Sequence, residues 1–444
     1  MVANETATPG DLRDLLASSP MRRLQIAIVV LCITLNALDG FDVLAISFAS
    51  PGIATEWGID RAQLGIVLSM ELLGMAAGSV LIGNVADRIG RRATILTCLT
   101  VMLIGMFAAT AVHSPVQLSA ARLFTGLGIG GMLSSTTALV SEFSNRRSHN
   151  LNVSLNIAGY SMGAIAGGLV VTQLLTSGAD WRAIFAFGGI VTAVLLPVAF
   201  FTLQESVDYL ITKQPPNALE RVNRVLAKLR HQPIARLPSF VAEVEKSTIP
   251  ALFSSAYSRT TILLAVAYFT EIMLFYFILK WVPKIVVDMG FTAAEGARVL
   301  VFANIGNLTG AILFGLAAQR FQPRLLIIGS LIAAFALVAV FGLGFRDLAL
   351  MSLIVAIACF FINGAVVGLY PIMANAYPAR LRATGTGFVI GMGRGGSALG
   401  PILVGYLFKN GASLMIVSLA MGAGALVAAA MVAMLPKAPA VRSS

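Results

Sequence analysis

A chain of 444 residues that is 57% hydrophobic and 11% charged, with a mean hydropathy of +0.86, is excluded from the soluble globular proteins, which carry about 25% charged residues. Its net charge of +11 invites a nucleic-acid partner, but the cations lie in short segments between apolar runs, which excludes that class. No nucleotide-binding loop, catalytic triad or metal-ligand spacing is present, so neither an enzyme nor a resident cofactor is expected.

Twelve apolar stretches reach the roughly 20 residues that a membrane crossing needs: 24–49, 62–83, 93–112, 117–140, 152–176, 182–203, 260–287, 292–317, 324–344, 348–371, 384–408 and 412–435. The expectation is an all-α membrane protein of twelve transmembrane helices in two six-helix bundles, 24–203 and 260–435. A polar linker, 204–259, joins the bundles, and tails 1–23 and 436–444 flank them. The first apolar run is too long for a signal-peptide core, so no cleavage is expected. Segments on the side of the N-terminus hold 22 Lys and Arg against seven on the other, which places both termini in the cytoplasm. Cys32, Cys98 and Cys359 sit in separate spans and make no disulfide framework.

The first span carries Asn36-Ala37-Leu38-Asp39-Gly40-Phe41-Asp42 near its middle. An Asp there costs about 2.5–3.5 kcal/mol on insertion scales. Asp39 and Asp42 are three apart and share a helix face, with Asn36 a turn earlier. The pair is either salt-bridged to a neighbouring helix or a proton-binding site facing a water-filled cavity. Asp42 lies one turn nearer the outside, which suits an entry carboxylate, with Asp39 the coupled one.

After the second span comes Gly83-Asn84-Val85-Ala86-Asp87-Arg88-Ile89-Gly90-Arg91-Arg92, whose glycines serve tight turns and whose arginines hold the loop at an anionic leaflet. This G-x-x-x-D-R-x-G-R-R pattern resembles the signature loop of the major facilitator superfamily, whose members share the twelve-helix layout in two pseudo-symmetric halves. The resemblance implies a gating role for Gly83, Asp87, Arg88, Arg91 and Arg92. The second-half copy, 315–324, departs from it, with Gln319 for the acid and Pro323 for an arginine.

The fourth span opens on Arg122-Leu123-Phe124-Thr125-Gly126 and continues through Gly128, Gly130 and Gly131. This resembles the superfamily's fourth-helix motif, in which the arginine is associated with proton coupling; an interfacial, snorkelling arginine is the alternative. Gly159, Gly163 and Gly167 at four-residue spacing on the fifth span, and the glycines from Gly391 to Gly400 on the eleventh, read as sites of close helix contact. The halves echo each other at an offset of 234, Gly159 falling on Gly393, and parallel repeats put a substrate site between halves at the midplane.

Within the superfamily, Asp39-Gly40-Phe41-Asp42 looks like the hallmark of the aromatic acid:proton symporters, and Ser141-Glu142 with Arg146, and Tyr377-Pro378 with Arg382, are similar to that family's loop positions. The resemblance implies import of an aromatic carboxylate with protons, across a bacterial inner membrane, with Asp39, Asp42, Arg122 and Glu142 in proton coupling and Arg382 added to the gate. The lipid bilayer, protons and the small aromatic acid are the expected partners, nucleic acid is not, and the carrier is expected to be a monomer. Arg394, mid-way along the eleventh span, suits bidentate capture of a carboxylate. Phe41, Tyr160, Tyr268, Phe275, Tyr276 and Tyr370 are candidate ring walls, and Asn36, Asn156, Asn304 and Asn307 either reach ring hydroxyls or bond across helices. Glu271 on the seventh span is an added acid, placed with the substrate residues. The alternatives are a proton antiporter that exports an amphipathic compound and a symporter of a non-aromatic organic anion.

Overall fold

The structure, a computed structural model, describes residues 17–237 and 248–436. Among them are fourteen α-helices: α1 (Arg23–Trp57), α2 (Arg61–Ile89), α3 (Arg91–Thr110), α4 (Pro115–Phe143), α5 (His149–Thr176), α6 (Arg182–Thr202), the short α7 (Val207–Lys213) and α8 (Ala218–Lys228), then α9 (Ser258–Asp288), α10 (Ala293–Ala317), α11 (Pro323–Phe341), α12 (Leu348–Asn375), α13 (Ala379–Lys409) and α14 (Leu414–Ala433). Twelve of them, all but α7 and α8, are long and apolar enough to cross a membrane. They correspond one for one to the twelve apolar stretches.

Boundaries move where side chains rescue the backbone. The first span runs on to Trp57 through Pro51, eight residues beyond the apolar run. Proline leaves the Ser47 carbonyl without its helical donor, and the Ser50 hydroxyl supplies one at 2.8 Å. Gly58, with φ of 57°, then ends the helix.

Glycine stripes set the packing inside each half. Side by side and parallel, α1 and α5 approach so closely that a Cβ on Gly40 would strike the Tyr160 carbonyl, and one on Gly163 the Ala37 carbonyl. The same device joins α2 to α4 through Gly74, Gly78, Gly126 and Gly130. The second half repeats it: α9 lies on α13 at Gly393, Gly396 and Gly400, and α10 on α12 at Gly306 and Gly310. The repeat is thus visible in the contacts: first helix on fifth, second on fourth, in both halves.

The polar links between halves lie away from the linker. Arg61 bonds Asp288 at 3.1 Å, and Lys409 bonds Asp60 at 2.9 Å. Hydrogen bonds from the Gln63 N–H and from Lys409 hold the Asp60 carboxyl below its usual range. Gly65 of α2 packs on the Pro401 carbonyl of α13, and Gly168 of α5 on Val301 of α10. Toward the linker end, side chains on Gly83, Gly315, Gly387 or Gly391 would enter open space. The halves are joined at the far end.

At the linker end, Gly90 (φ 99°) turns the chain into α3, and the Glu205 carboxylate accepts the Arg91 and Arg92 N–H groups at 2.7 and 3.2 Å. Arg92 donates to the Leu203 and Phe200 carbonyls at the end of α6, at 2.9 and 2.6 Å. Arg324 does the same for the end of α14, reaching the Ala433 and Leu435 carbonyls. The second-half loop, despite Gln319 and Pro323, therefore keeps one function of the motif: it ties down the last helix of its half. The Arg88 carbonyl accepts from the Tyr209 hydroxyl of α7 at 2.8 Å. Arg382 is exposed, and the side chain of Asp87 lies outside the described part of the structure.

Gly40→Val should cost the fold about 1–3 kcal/mol, as overpacking does, because backbone, not a movable side chain, occupies the space. Heating detergent-solubilised protein and measuring the remaining monodisperse fraction checks it. Gly391→Ala, facing open space, should match the wild type, and equal melting of all three proteins would show that the α1–α5 contact is loose.

Candidate functional site

Four ionisable side chains meet in the membrane-spanning core. Glu71 of α2, Arg122 of α4 and Lys280 of α9 are each fully buried. Arg122 forms an ion pair with one Glu71 oxygen, and Lys280 lies 3.5 Å from the other. One carboxylate thus serves two cations, one from each half. Both cations also hold the backbone of α1: Arg122 donates to the Asp42 carbonyl at 2.8 Å and Lys280 to the Val43 carbonyl. Arg122 further lies 5.2 Å over the Phe185 ring and 3.0 Å from the Met106 sulfur. Arg122 is therefore no snorkelling interfacial residue. Lys280, one of the seven cations counted on the side away from the N-terminus although it falls in the apolar stretch 260–287, is corrected to the interior: α9 continues to Asp288, so this lysine is two helical turns from the helix end.

Asp42, the fourth group, feels Arg122 and Glu71 electrostatically, and Asp39 feels Asp42. All four of their carboxyl oxygens are sealed from solvent and accept no hydrogen bond. Their direction corrects the sequence expectation. They point into the first bundle, Asp42 toward Gly188 of α6 and Asp39 within electrostatic range of Cys98 of α3, instead of lining an open cavity. The cause is Gly40, whose bare face is pressed on α5 and turns the aspartates to the other side of α1.

A second cluster lies between the halves. Tyr160 of α5 and Tyr276 of α9 face each other across the divide, though the Tyr160 hydroxyl completes no well-formed hydrogen bond. Tyr268 of α9 and Tyr370 of α12 share one at 3.2 Å. The Arg394 guanidinium, at the middle of α13, reaches the hydroxyls of Tyr160, Tyr268 and Tyr276 electrostatically. Arg394 is half-buried and has no acidic or carbonyl partner among the described residues, whereas Arg122 has both. Tyr268 belongs with these residues.

Other candidates sit elsewhere. Phe41 is buried edge-on against Phe187, ring centroids 5.2 Å apart, over Gly167, and is a packing residue of the first bundle. Asn36 donates to the Asn156 carbonyl, and Asn304 donates to Leu300 of its own helix at 2.9 Å, so both amides are spent on backbone. Glu271 is fully buried, and its carboxyl oxygens have no hydrogen-bond or ion-pair partner among the described residues. Glu142 lies twenty residues beyond Arg122 on α4, some 30 Å along the helix, at a cavity of about 350 Å³ lined also by Arg146, His149 and Asp208. It is not part of the buried charge cluster.

The sequence profile of the Major Facilitator Superfamily matches residues 32–401. The chain belongs to that superfamily, a family of transporters and not of enzymes. It is 33% identical to a 4-hydroxybenzoate transporter of Pseudomonas aeruginosa, covering 88% of each chain, and 29% identical to a gallate transporter of Pseudomonas putida, covering 95% of this chain and 94% of the relative. Among solved structures, a D-xylose-proton symporter superimposes with a TM-score of 0.71 at 16% identity, covering 93% of this chain and 98% of the other, a likeness of fold. This superfamily member is a multi-pass membrane protein.

Removing the shared carboxylate should be severe. Glu71→Gln leaves two buried cations facing each other, a loss of about 3–5 kcal/mol in line with other broken buried pairs. Adding Lys280→Met should recover part of it, and thermal stability of the four proteins of that double-mutant cycle checks the coupling. Strict additivity would mean that Glu71 and Lys280 do not interact.

Proposed function

We propose that this carrier imports an aromatic carboxylate together with protons across a bacterial inner membrane by alternating access, as a monomer whose linker end is cytoplasmic. One observation carries the reading: a guanidinium without an ion-pair partner among the described residues stands in the middle of a membrane protein, within electrostatic range of tyrosines contributed by both halves. A half-buried cation without a counter-charge calls for an anion, and a planar guanidinium fork grips a carboxylate bidentately. Tyrosine rings offer stacking faces to an aromatic ring and hydroxyls to its substituents. The names of the relatives, transporters of 4-hydroxybenzoate and gallate, agree with that chemistry.

Proton coupling rests on Asp39 and Asp42. Carboxyl groups that accept no hydrogen bond in a dry interior suit the neutral acid, and Asp42 stands beside an arginine already committed to Glu71. Loading and unloading these acids changes the charge carried by α1 while the anion rides between the halves. Glu142, in this reading, belongs to the cytoplasmic face and acts on the linker, not on the proton itself.

Labelled 4-hydroxybenzoate and proteoliposomes test it. An inward proton gradient should drive accumulation and an outward gradient should not; the reverse pattern would make the protein an exporter. Arg394→Lys should raise the apparent KM about tenfold or more, since a lost charge-assisted hydrogen bond is worth about 1.5–3 kcal/mol. Unchanged affinity would remove Arg394 from the site. Asp39→Asn should lower the accumulation that a given gradient sustains yet keep exchange between equal pools; wild-type accumulation in that variant would refute the assignment.

A further inference from the structure

Glu271 has no task in the mechanism above, and its surroundings are unusual. Its side chain is fully buried, and neither carboxyl oxygen has a hydrogen-bond partner. The titratable groups on helices packed against α9 are Cys32, Asp39 and Asp42 of α1, Glu295 and Arg298 of α10, Cys359 and Tyr370 of α12, and Arg394 of α13, with the ends of these helices carrying the rest; α14 has none, and Glu71 of α2, Arg122 of α4 and Tyr160 of α5 reach α9 at Lys280 and Tyr276. None of them, nor Tyr268, Tyr276 or Lys280 of α9 itself, acts on Glu271 electrostatically. A carboxyl that bonds to nothing stabilises nothing, and an apolar residue of like size would fill the space at lower cost.

Its depth is informative. The halves repeat at an offset of 234, so Glu271 corresponds to position 37 of α1, two residues from Asp39, or about 3 Å along the axis. The first helix of each half therefore carries an unpartnered carboxyl at the same level. Glu271 is also one turn from Tyr268, which touches Tyr370 at the proposed substrate cluster.

We propose that Glu271 is a second proton carrier, seated in the second half, so that each turnover moves two protons with one carboxylate anion. Resting on the aromatic-acid reading, this makes uptake electrogenic. One proton taken with a monoanion is electroneutral, and the second adds one positive charge per cycle. Each proton enters as hydronium from the outer side, sits on a carboxyl oxygen and leaves to water on the linker side, with no other reactant.

Static-head accumulation of 4-hydroxybenzoate in proteoliposomes tests it. Without a pH gradient, an inside-negative potential of about 59 mV should give the wild type tenfold accumulation. Glu271→Gln should lose this response while a pH gradient still drives uptake, and Glu271→Asp should keep it. A wild type indifferent to potential, or a glutamine variant as responsive as the wild type, overturns the proposal. If Glu271→Gln does not fold, the wild-type ratio and the aspartate variant still decide. Infrared titration of the purified, substrate-free protein is independent of the substrate. A protonated-carboxyl band that bleaches with rising pH and is missing in Glu271→Gln supports the carrier, and one that is unchanged over the whole pH range overturns it. Absence of any aromatic-acid uptake would sink the substrate reading and leave this infrared result standing.

Discussion

A charge taken into the membrane interior must find its counter-charge there, and in this protein that requirement falls on Glu71. It accepts Arg122 from its own half and Lys280 from the other, and all three side chains are fully buried. The desolvation penalty for each ion is several kcal/mol even after relaxation, and only well-placed partners offset it. The backbone carbonyls of Asp42 and Val43 complete the cage. Because Lys280 reaches its partners across the divide, pairing this charge and closing the end away from the linker are one event. Any motion that separates α9 from α1 and α2 must deliver Lys280 to water at the same moment. The exposed pairs Arg61–Asp288 and Lys409–Asp60 lie near the same closure, but surface ion pairs contribute little.

The tyrosine cluster between the halves, the proposed substrate site, is wired to this closure by covalent spacing. Tyr276 and Lys280 are one turn apart on α9, so the helix that offers a tyrosine to the cluster between the halves also carries the cation that seals the end away from the linker. A ligand shifts a two-state equilibrium only by its differential affinity for the states. A guest held between Tyr160 of one half and Tyr276 and Arg394 of the other feels the separation of the halves directly, and has the lever that such a shift needs.

Much of this architecture is legible in the sequence because the bilayer makes hydrophobic length a hard constraint. The twelve spans, the glycine contacts Gly159, Gly163 and Gly167, and the special standing of Asp39, Asp42, Arg122 and Arg394 all follow from what a lipid interior forbids. Direction was not legible. In a helix buried nearly all round, such as α1, no polar face marks which side meets which neighbour. Phe41, Asn36 and Asn304 therefore read as cavity residues, though they pack or cap backbone. Lys280 was hidden by its position near the end of an apolar run, where a lysine ordinarily belongs to a loop. The one available signal was Lys284, a second lysine four residues on, which pairs with Asp288 and shows the helix continuing past both.

The orientation of the aspartates narrows how a proton can act. Asp39 and Asp42 face α3 and α6, with the α1–α5 glycine contact between them and the space that separates the halves. A substrate in that space touches neither carboxyl, so coupling by direct contact is closed in this conformation. What remains is coupling through the rigid pair itself. α1 is seated on α5 through backbone contacts that leave no room for sliding, and α5 bears Tyr160 while α1 bears the carbonyls held by Arg122 and Lys280. A proton lost from Asp42 leaves a negative charge beside Arg122, in competition with Glu71 for the same guanidinium. Whatever Arg122 gives up, Lys280 must balance from across the divide. In the proposed cycle, the proton therefore reaches the substrate only by way of the closure.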